Sequence, residues 1–564
     1  MPGPGNPYLA IADAELCSEA FARREDEKDE LSALRKEFVI PTKGDLRNKK
    51  YGFQQQADAT RNGDDDNDDD DDDNDDNDDN DNDNEEAIYF CGNSLGLQPR
   101  RTRDYVNRCL ETWASKGVFG HFTDYEDGLP PWLHLDDATK AQSASIVGAL
   151  PSEVAVMQTL TANLHLLMSS FYRPTADRWK IIIEGKAFPS DHYAALSQIA
   201  HHNLPPSSLV TISPPSDASP YLSTEHILSV ISQHAATTAL VLLPGIQFYS
   251  GQFLDMELIT RHCHSNGIPI GWDLAHAVGN VELKLHEWNV DFAAWCNYKY
   301  MNGGPGVIGG LFVHEMHGRV DPAPTAPSGT STSSTAAGTS TAASTAPAST
   351  PASTTPASTT PASTAAPNPA PPSATQLTYR PRLSGWWGSD KTSRFAMDNS
   401  FVPIPGASGF QLSNPSALDM ASVLASLAVF SQTSMSALRA RSERLTGYLE
   451  ARLLRYPAPS SGATQPKPPY SIITPSRPCE RGAQLSVRLA PGLLDGVQAA
   501  LSARGVVVDE RKPDVLRVAP APLYNSFMDV HRFVAVFHDA CRRALASGQT
   551  ARAETRRRAG VAKT

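Results

Sequence analysis

Two polar residues, each at the end of an apolar run, hold the strongest chemical signal in this sequence. Ile268 to Trp272 breaks into Asp273, Leu274, Ala275 and His276, and Val290 to Cys296 ends in Asn297, Tyr298, Lys299 and Tyr300. Strands buried on both faces of an open α/β sheet present side chains at their carboxyl ends, where ligands bind. An acid at one such end and a lysine at the next, about 25 residues on, fit pyridoxal phosphate chemistry, in which the lysine bonds to the cofactor aldehyde and the carboxylate partners the pyridinium nitrogen. Alone, such an Asp is more often a turn former and such a Lys is usually solvated. The reading rests on their joint placement.

Other stretches supply the remaining parts of such a site. Gln158, Thr159, Leu160 and Thr161 open a predicted helix whose first N–H groups suit a phosphate, with the Thr161 hydroxyl beside them; the plainer reading is an N-cap. Ala187 to Asp191 follows a strand, and Pro189 forces Phe188 extended while suiting the first turn of a helix. Phe188 then reaches the sheet edge, where its ring face can stack on a flat cofactor, although a core Phe is the commoner outcome. Gly304, Pro305, Gly306, Val307, Ile308 and Gly309 match the dinucleotide fingerprint formally. That fingerprint must open a helix, and here it leads into the strand-like Leu311, Phe312 and Val313, so a nicotinamide site is rejected. His262 and His264 flank Cys263 on a predicted helix, where their side chains diverge and cannot share a metal. No metal site emerges, and no GxSxG elbow supports a serine hydrolase.

Composition narrows the class. The 564 residues carry a formal net charge of -13, but Asp64 to Glu86 holds 15 Asp and 2 Glu with no Lys or Arg, which leaves about +4 for everything else. No basic stripe argues for nucleic acid. Seven scattered cysteines, Cys17, Cys91, Cys109, Cys263, Cys296, Cys479 and Cys541, show no CxxC spacing and read as reduced thiols. With no signal-peptide pattern and no run approaching a membrane span, a cytoplasmic protein is expected.

Alternating elements must position the chemistry. Helical Thr161 to Phe171 precedes strand Ile181 to Glu184, helix Ser190 to Ala200, strand Leu209 to Ser213, helix Thr224 to Gln233, strand Leu240 to Pro244, helix Asp255 to Ser265 and strand Pro269 to Trp272. This pattern predicts a largely parallel sheet covered on both faces. Residues 1–60 read as an N-terminal helical arm, and 61–86 as an acidic disordered insertion without the rhythm of a calcium loop. Residues 87–320 and 377–415 form the two parts of a large cofactor-binding domain. Between them, 321–376 is a Pro/Ala/Ser/Thr spacer with Pro-Ala-Ser-Thr at Pro347, Pro351, Pro356 and Pro361, expected to loop out of one domain because strand-like Gly310 to His314 precedes it and strand-like Arg382 to Asp390 follows it. Residues 416–548 read as a smaller α+β domain led by one long helix from Ala417 to Leu454, and 549–564 as a basic disordered tail around Arg556, Arg557 and Arg558.

Ordered blocks across nearly everything outside the arm and insertions resemble the kynureninase family. They are Tyr89-Phe-Cys-Gly-Asn-Ser-Leu-Gly-Leu97, Leu160-Thr-Ala-Asn-Leu-His-Leu-Leu167, Phe188-Pro-Ser-Asp191, Gly271-Trp-Asp-Leu-Ala-His276, Tyr298-Lys299, Gly385-Trp-Trp-Gly388, Gln411-Leu-Ser-Asn-Pro415 and Leu516-Arg-Val-Ala-Pro520. The resemblance implies an aspartate-aminotransferase-like fold (fold type I), a homodimer and pyridoxal 5'-phosphate. It also implies hydrolysis of the Cβ–Cγ bond of L-kynurenine to anthranilate and alanine, and of 3-hydroxykynurenine likewise, in tryptophan catabolism and NAD biosynthesis. By the same resemblance Leu160 and Thr161 would contact the phosphate, Phe188 and Asp191 the ring, and Asp273 and His276 its other side, with Pro189 and Ser190 also among the cofactor-binding residues. Tyr298 would reach the phosphate and relay protons, Lys299 would carry the cofactor, and Trp386 and Asn414 would complete the site across the dimer interface. Ser94, His121, Ser413 and Asn414 would face the substrate's aromatic amine end, and Arg517 its α-carboxylate. Pro244 stands where the family has a cofactor-contacting Ser. An aminotransferase, a cysteine desulfurase and a non-catalytic scaffold are the alternatives.

Overall fold

The computed structural model describes residues 5–48, 83–124, 126, 128–215, 221–322, 377–457 and 467–561, with side chains as far as 547. Apart from 83–86 and 321–322, both expected disordered insertions lie outside these residues.

A seven-stranded sheet is built from β1 (Val154–Val156), β2 (Lys180–Glu184), β3 (Leu209–Ile212), β4 (Thr238–Pro244), β5 (Ile270–Asp273), β6 (Phe292–Trp295) and β7 (Gly310–Val313). Its spatial order is β1-β7-β6-β5-β4-β2-β3, with only β7 antiparallel to its neighbours. Successive residues of one strand serve opposite cores, since Ile181 and Ile183 join one apolar cluster and Ile182 the other. Two-sided burial of this kind makes the strands read as nearly continuous apolar runs. Helices α1 (Leu160–Phe171) and α2 (Pro189–His201) supply Leu164, Leu167, Ala194 and Ile199 to one face. The other face takes Ile227, Ile231 and Ile259 from α3 (Thr224–His234) and α4 (Met256–Ser265). The expected mostly parallel α/β architecture is the one observed. Between β2 and β4 the chain order reverses, which opens a crevice at the strands' carboxyl ends.

A second sheet is antiparallel and joins β8 (Tyr470–Ile472), β9 (Leu485–Leu489), β10 (Asp509–Arg511) and β11 (Val515–Val518) in the order β8-β9-β11-β10. Its core includes Leu485, Val487, Leu516 and Val518, together with Tyr8, Leu16 and Phe21 of the N-terminal arm. A buried ion pair ties that arm down: Arg441 Nε donates to Asp29 Oδ2 at 2.6 Å, with both side chains 3% exposed. Asp29→Ala would strand the guanidinium in the interior, so chemical denaturation should show a loss of about 3–5 kcal/mol.

Three expectations are corrected. The single helix from Ala417 to Leu454 is two, α5 (Ala417–Phe430) and α6 (Met435–Leu453), bent by 77°. The Ser434 hydroxyl accepts the N–H of Ala437 and starts α6 afresh, a cap hidden in the polar run Ser431 to Ser434. Arg382 to Asp390, expected to be strand-like, holds a 3₁₀ turn at Trp386–Gly388. At Gly385 any side chain would collide with the backbone of Leu412, so this segment crosses its neighbour at close range instead of pairing as a strand. Residues 549–561, expected in a disordered tail, continue the helix Phe527–Val561; their Ala, Arg and Glu are strong helix formers.

At the amino end of β1, the fully buried Glu153 accepts His286 Nδ1–H and the N–H of Glu315 on one oxygen and the N–H of Leu150 on the other. With His314 it forms a cluster whose ligand-type atoms all lie within 4.8 Å of one another. The carboxylate is engaged by these donors and clamps three segments together.

Residues Val320–Tyr379 make a separate unit whose described part is an antiparallel pair, Val320–Pro322 with Leu377–Tyr379. Joining the two strands by a short glycine-containing turn in place of 323–376 should leave turnover within about twofold in a steady-state assay, because the hairpin already fixes both ends. Among the described residues no single helix is long and apolar enough to cross a membrane.

Candidate active site

At the carboxyl ends of β2, β4 and β5 lies a cavity of about 260 Å³, lined by Thr159, Leu160, Thr161, Glu184, Phe188, Ser190, Asp191, Pro244, Ile246, Phe248, Asp273, Ala275, His276, Tyr298 and Lys299. Asp273 is the last residue of β5, paired in register with Pro244 of β4 and Ala294 of β6. Lys299 stands on the turn after β6, whose carbonyl at 299 accepts the N–H of Asn302 at 2.9 Å. The Cys91 to Leu97 loop supports this turn. Gly96 donates its N–H to the Tyr298 carbonyl at 2.8 Å, and a side chain at 96 would collide with the Lys299 carbonyl oxygen.

Lys299 Nζ lies 3.0 Å from His276 Nε2. His276 is held well below the ordinary imidazole range, first by burial and then by the charges of Lys299, Arg517 and Arg511. A neutral ring therefore accepts from the lysine, and its Nδ1 has no hydrogen-bond partner among the described residues. Facing it are two acids. Asp273 Oδ1 accepts the Ala275 N–H at 2.7 Å. Burial, followed by the charge of Asp273 and a hydrogen bond to it, pushes Asp191 well above the carboxylate range. Asp191 thus keeps its proton beside an Asp273 carboxylate, and its Oδ1 is also unpartnered. Burial likewise pushes the Tyr298 phenol upward, so Tyr298 holds its proton.

Two helix starts converge on the same cavity. Neither α1 nor α2 has a side-chain cap, since the N-cap residues Thr159 and Phe188 make no capping hydrogen bond. The amides of Leu160 and Thr161 in α1 and of Ser190 in α2 are left for an anion, whereas Pro189 has no N–H and Asp191 donates to the Phe188 carbonyl. Thr161 Oγ1 and Ser190 Oγ lie 2.7 Å apart, which joins residues distant in sequence. Ahead of α1, Gln158 adopts a φ of 50°, a left-handed conformation that costs a non-glycine residue energy and recurs at ligand sites. An anion cradle at one end, unpartnered acid and imidazole atoms at the other, and the half-exposed Phe188 ring between them fit a flat phosphorylated pyridine. The tailored fit lies in polarity, because unmatched buried polar atoms each cost about 1–3 kcal/mol.

Of the residues singled out in the sequence, Leu160, Thr161, Phe188, Ser190, Asp191, Asp273, His276, Tyr298 and Lys299 are brought together here. Pro189 starts α2 without lining the cavity. Arg517 is buried behind Phe248: it donates to the Phe248 carbonyl and to Ser94 Oγ, each at 2.8 Å, and pairs with Asp509. His121 turns to the Val118 carbonyl and packs against Trp132. Trp386, 45% exposed, Ser413 and Asn414 lie on the surface of the single chain. Glu184 carries a strand-end signal of the same kind, since the run Ile181 to Ile183 breaks into it as Ile270 to Trp272 breaks into Asp273. Asp509 gave no sequence signal, because its role depends on a cross-strand pairing with Arg517.

Residues 135–366 match the aminotransferase class-V family, and residues 438–537 match the kynureninase C-terminal domain. A protein of Phaeosphaeria nodorum named kynureninase 1 is 66% identical over 540 residues, covering 96% of this chain and 95% of that one. The chain belongs to the kynureninase family. Kynureninase 1 of Aspergillus oryzae is 52% identical over 545 residues, covering 96% and 97% of the two chains. The family comprises pyridoxal-phosphate-dependent hydrolases acting on carbon–carbon bonds. Among solved structures, the cystine C-S lyase C-DES in complex with its reaction product cysteine persulfide matches with a TM-score of 0.57 at 14% identity, over 80% of this chain and 97% of that one. The apo cysteine desulfurase of Thermococcus onnurineus matches at 0.56 and 14%, over 81% and 95%. These two likenesses concern the fold alone, and it is the aminotransferase-like fold expected from the sequence. The desulfurase chemistry needs a reactive thiol, whereas Cys296 is 3% exposed with its thiol pushed up by burial.

Proposed function

We propose that this chain hydrolyses the Cβ–Cγ bond of L-kynurenine to anthranilate and alanine, and that of 3-hydroxykynurenine likewise, in the cavity between the two helix starts and Lys299. The observation that carries this reading is the lysine with a neutral imidazole at 3.0 Å, facing a buried acid pair in one cavity. Pyridoxal 5'-phosphate, when bound, supplies the electron sink. The N–H groups of Leu160 and Thr161 and the hydroxyls of Thr161 and Ser190 would hold its phosphate, Phe188 would contact its ring, and the Asp273 carboxylate would partner the pyridine nitrogen. Asp191, itself protonated, steadies Asp273.

Lys299 would bond to the cofactor, and its Nζ would move the proton at the substrate Cα. General bases act within hydrogen-bond reach, and the uncharged His276 keeps Nζ aimed without competing charge. Tyr298, holding its proton, serves as donor toward the reacting carbon. Arg517 receives the α-carboxylate in bidentate fashion, which displaces Asp509 from the guanidinium. In a homodimer, Trp386 and Asn414 complete the cofactor site, while Ser94, His121, Ser413 and Asn414 face the substrate's aromatic amine.

Incubating the purified protein, loaded with pyridoxal phosphate, with each substrate tests the reading. Anthranilate fluorescence from kynurenine and 3-hydroxyanthranilate from its hydroxylated form are expected, with no sulfide from cysteine. Turnover of cysteine alone would overturn it.

A further inference from the structure

Glu184 borders two cavities. One is the site above; the other is a polar space of about 40 Å³ shared with Lys186, Tyr221, Gln247, Ser250 and Arg488. That volume accommodates water, which needs roughly 10–15 Å³ and several polar partners. Its outer rim is wet, with Tyr221 39% exposed and the Arg488 side chain 42% exposed. Its inner end is Glu184, 6% exposed, whose Oε2 has no hydrogen-bond partner among the described residues. The groups around this carboxyl are Gln247 from the loop after β4, Lys186 from its own loop and Asp191 from α2, with Tyr221, Tyr249 and Arg488 around the outer cavity.

The proposed reaction has a proton to dispose of. The Cβ–Cγ bond breaks, water's oxygen bonds to Cγ, and one of water's hydrogens ends on Cβ. The new carboxylic acid then loses its O–H proton and keeps the electron pair, so each turnover releases one proton at neutral pH. Lys299, His276, Asp191 and Tyr298 each end the cycle as they began it, and none can absorb that proton.

We infer that Glu184 and the polar cavity behind it form the route by which the proton of hydrolysis leaves the active site: Oε2 takes the proton and passes it to water in the outer cavity, which exchanges with solvent. This inference rests on the function proposed above. Burial pushes the Glu184 carboxyl up to about 7, countered in part by Gln247 and Lys186. It can therefore both gain and lose a proton near neutrality. The carboxylate is the accepting form, so this contribution to kcat should rise with pH through about 7 and fade below it.

The test compares the cofactor-loaded wild type with Glu184→Gln. The variant should lose kcat by about tenfold or more with KM little changed, lose the limb near neutrality, show a larger solvent deuterium isotope effect and regain part of its rate in imidazole buffer. Wild-type kcat, pH profile and isotope effect in the variant would overturn the route. A second measurement needs no turnover: infrared difference spectra of the cofactor-free protein should show a buried carboxyl titrating near pH 7 that is missing in the variant. Should the variant not fold, the absence of any such band in the wild type overturns the inference. Failure of the wild type to cleave either substrate would instead overturn the proposed function, while the infrared titration still reports on Glu184.

Discussion

Replacing Lys299 by alanine is expected to abolish turnover, with kcat/KM falling by about four orders of magnitude or more. One side chain has two tasks in the proposed function, bonding to the cofactor and moving the proton at Cα, and acid–base catalysis alone contributes about 10²–10⁴-fold. His276 cannot substitute, because burial and neighbouring positive charge hold it neutral and its Nε2 faces the lysine rather than open space. Borohydride treatment followed by peptide mapping should find the reduced cofactor on residue 299 in the wild type and nowhere in the variant. An active variant, or one still labelled on another lysine, would remove Lys299 from the site. The fold should survive, since Lys299 is only partly buried and, among the described residues, its side-chain hydrogen bond is the one to His276.

Asp273→Asn should show the opposite separation: the lysine still labels, while kcat falls by about 10²–10³-fold. A carboxylate holds a proton on the pyridine nitrogen because it is charged, and a neutral amide of the same shape cannot. The change also reaches Asp191, whose carboxyl is pushed up first by burial and then by the Asp273 charge. Removing that charge relaxes part of the upward push, so thermal stability should not fall appreciably. Near-native turnover would refute the role of Asp273, and loss of lysine labelling would mean that the substitution disturbed cofactor binding itself.

Much of this arrangement was legible in the chain because buried strands announce their ends. Asp273 and Lys299 stand where apolar runs give way to polar residues, and both line one cavity. Glu184 carries the same signal, but an acid with no lysine at the end of the next strand suggests no familiar chemistry. Contacts between distant segments left no trace. The approach of Thr161 to Ser190 depends on two helices starting at the same sheet edge, and the Asp509–Arg517 pair depends on register between two short strands. The division of α5 from α6 was lost for a local reason, since a capping serine within a polar run looks the same as a serine on an exposed helix face. His121, Ser413, Asn414 and Trp386 were named from family resemblance alone, and within one chain they do not reach the cavity.

The hairpin of Val320–Pro322 with Leu377–Tyr379 makes the chain modular at that point. Partners across an antiparallel pair stand about 4.5–5.5 Å apart, so whatever joins them departs and returns through nearly the same spot. Doubling the length of such a connection costs only about 0.6 kcal/mol in closure entropy, which makes its length almost invisible to stability. A folded reporter domain with adjacent termini, spliced between these strands, would fold on its own account and leave the catalytic sheet untouched.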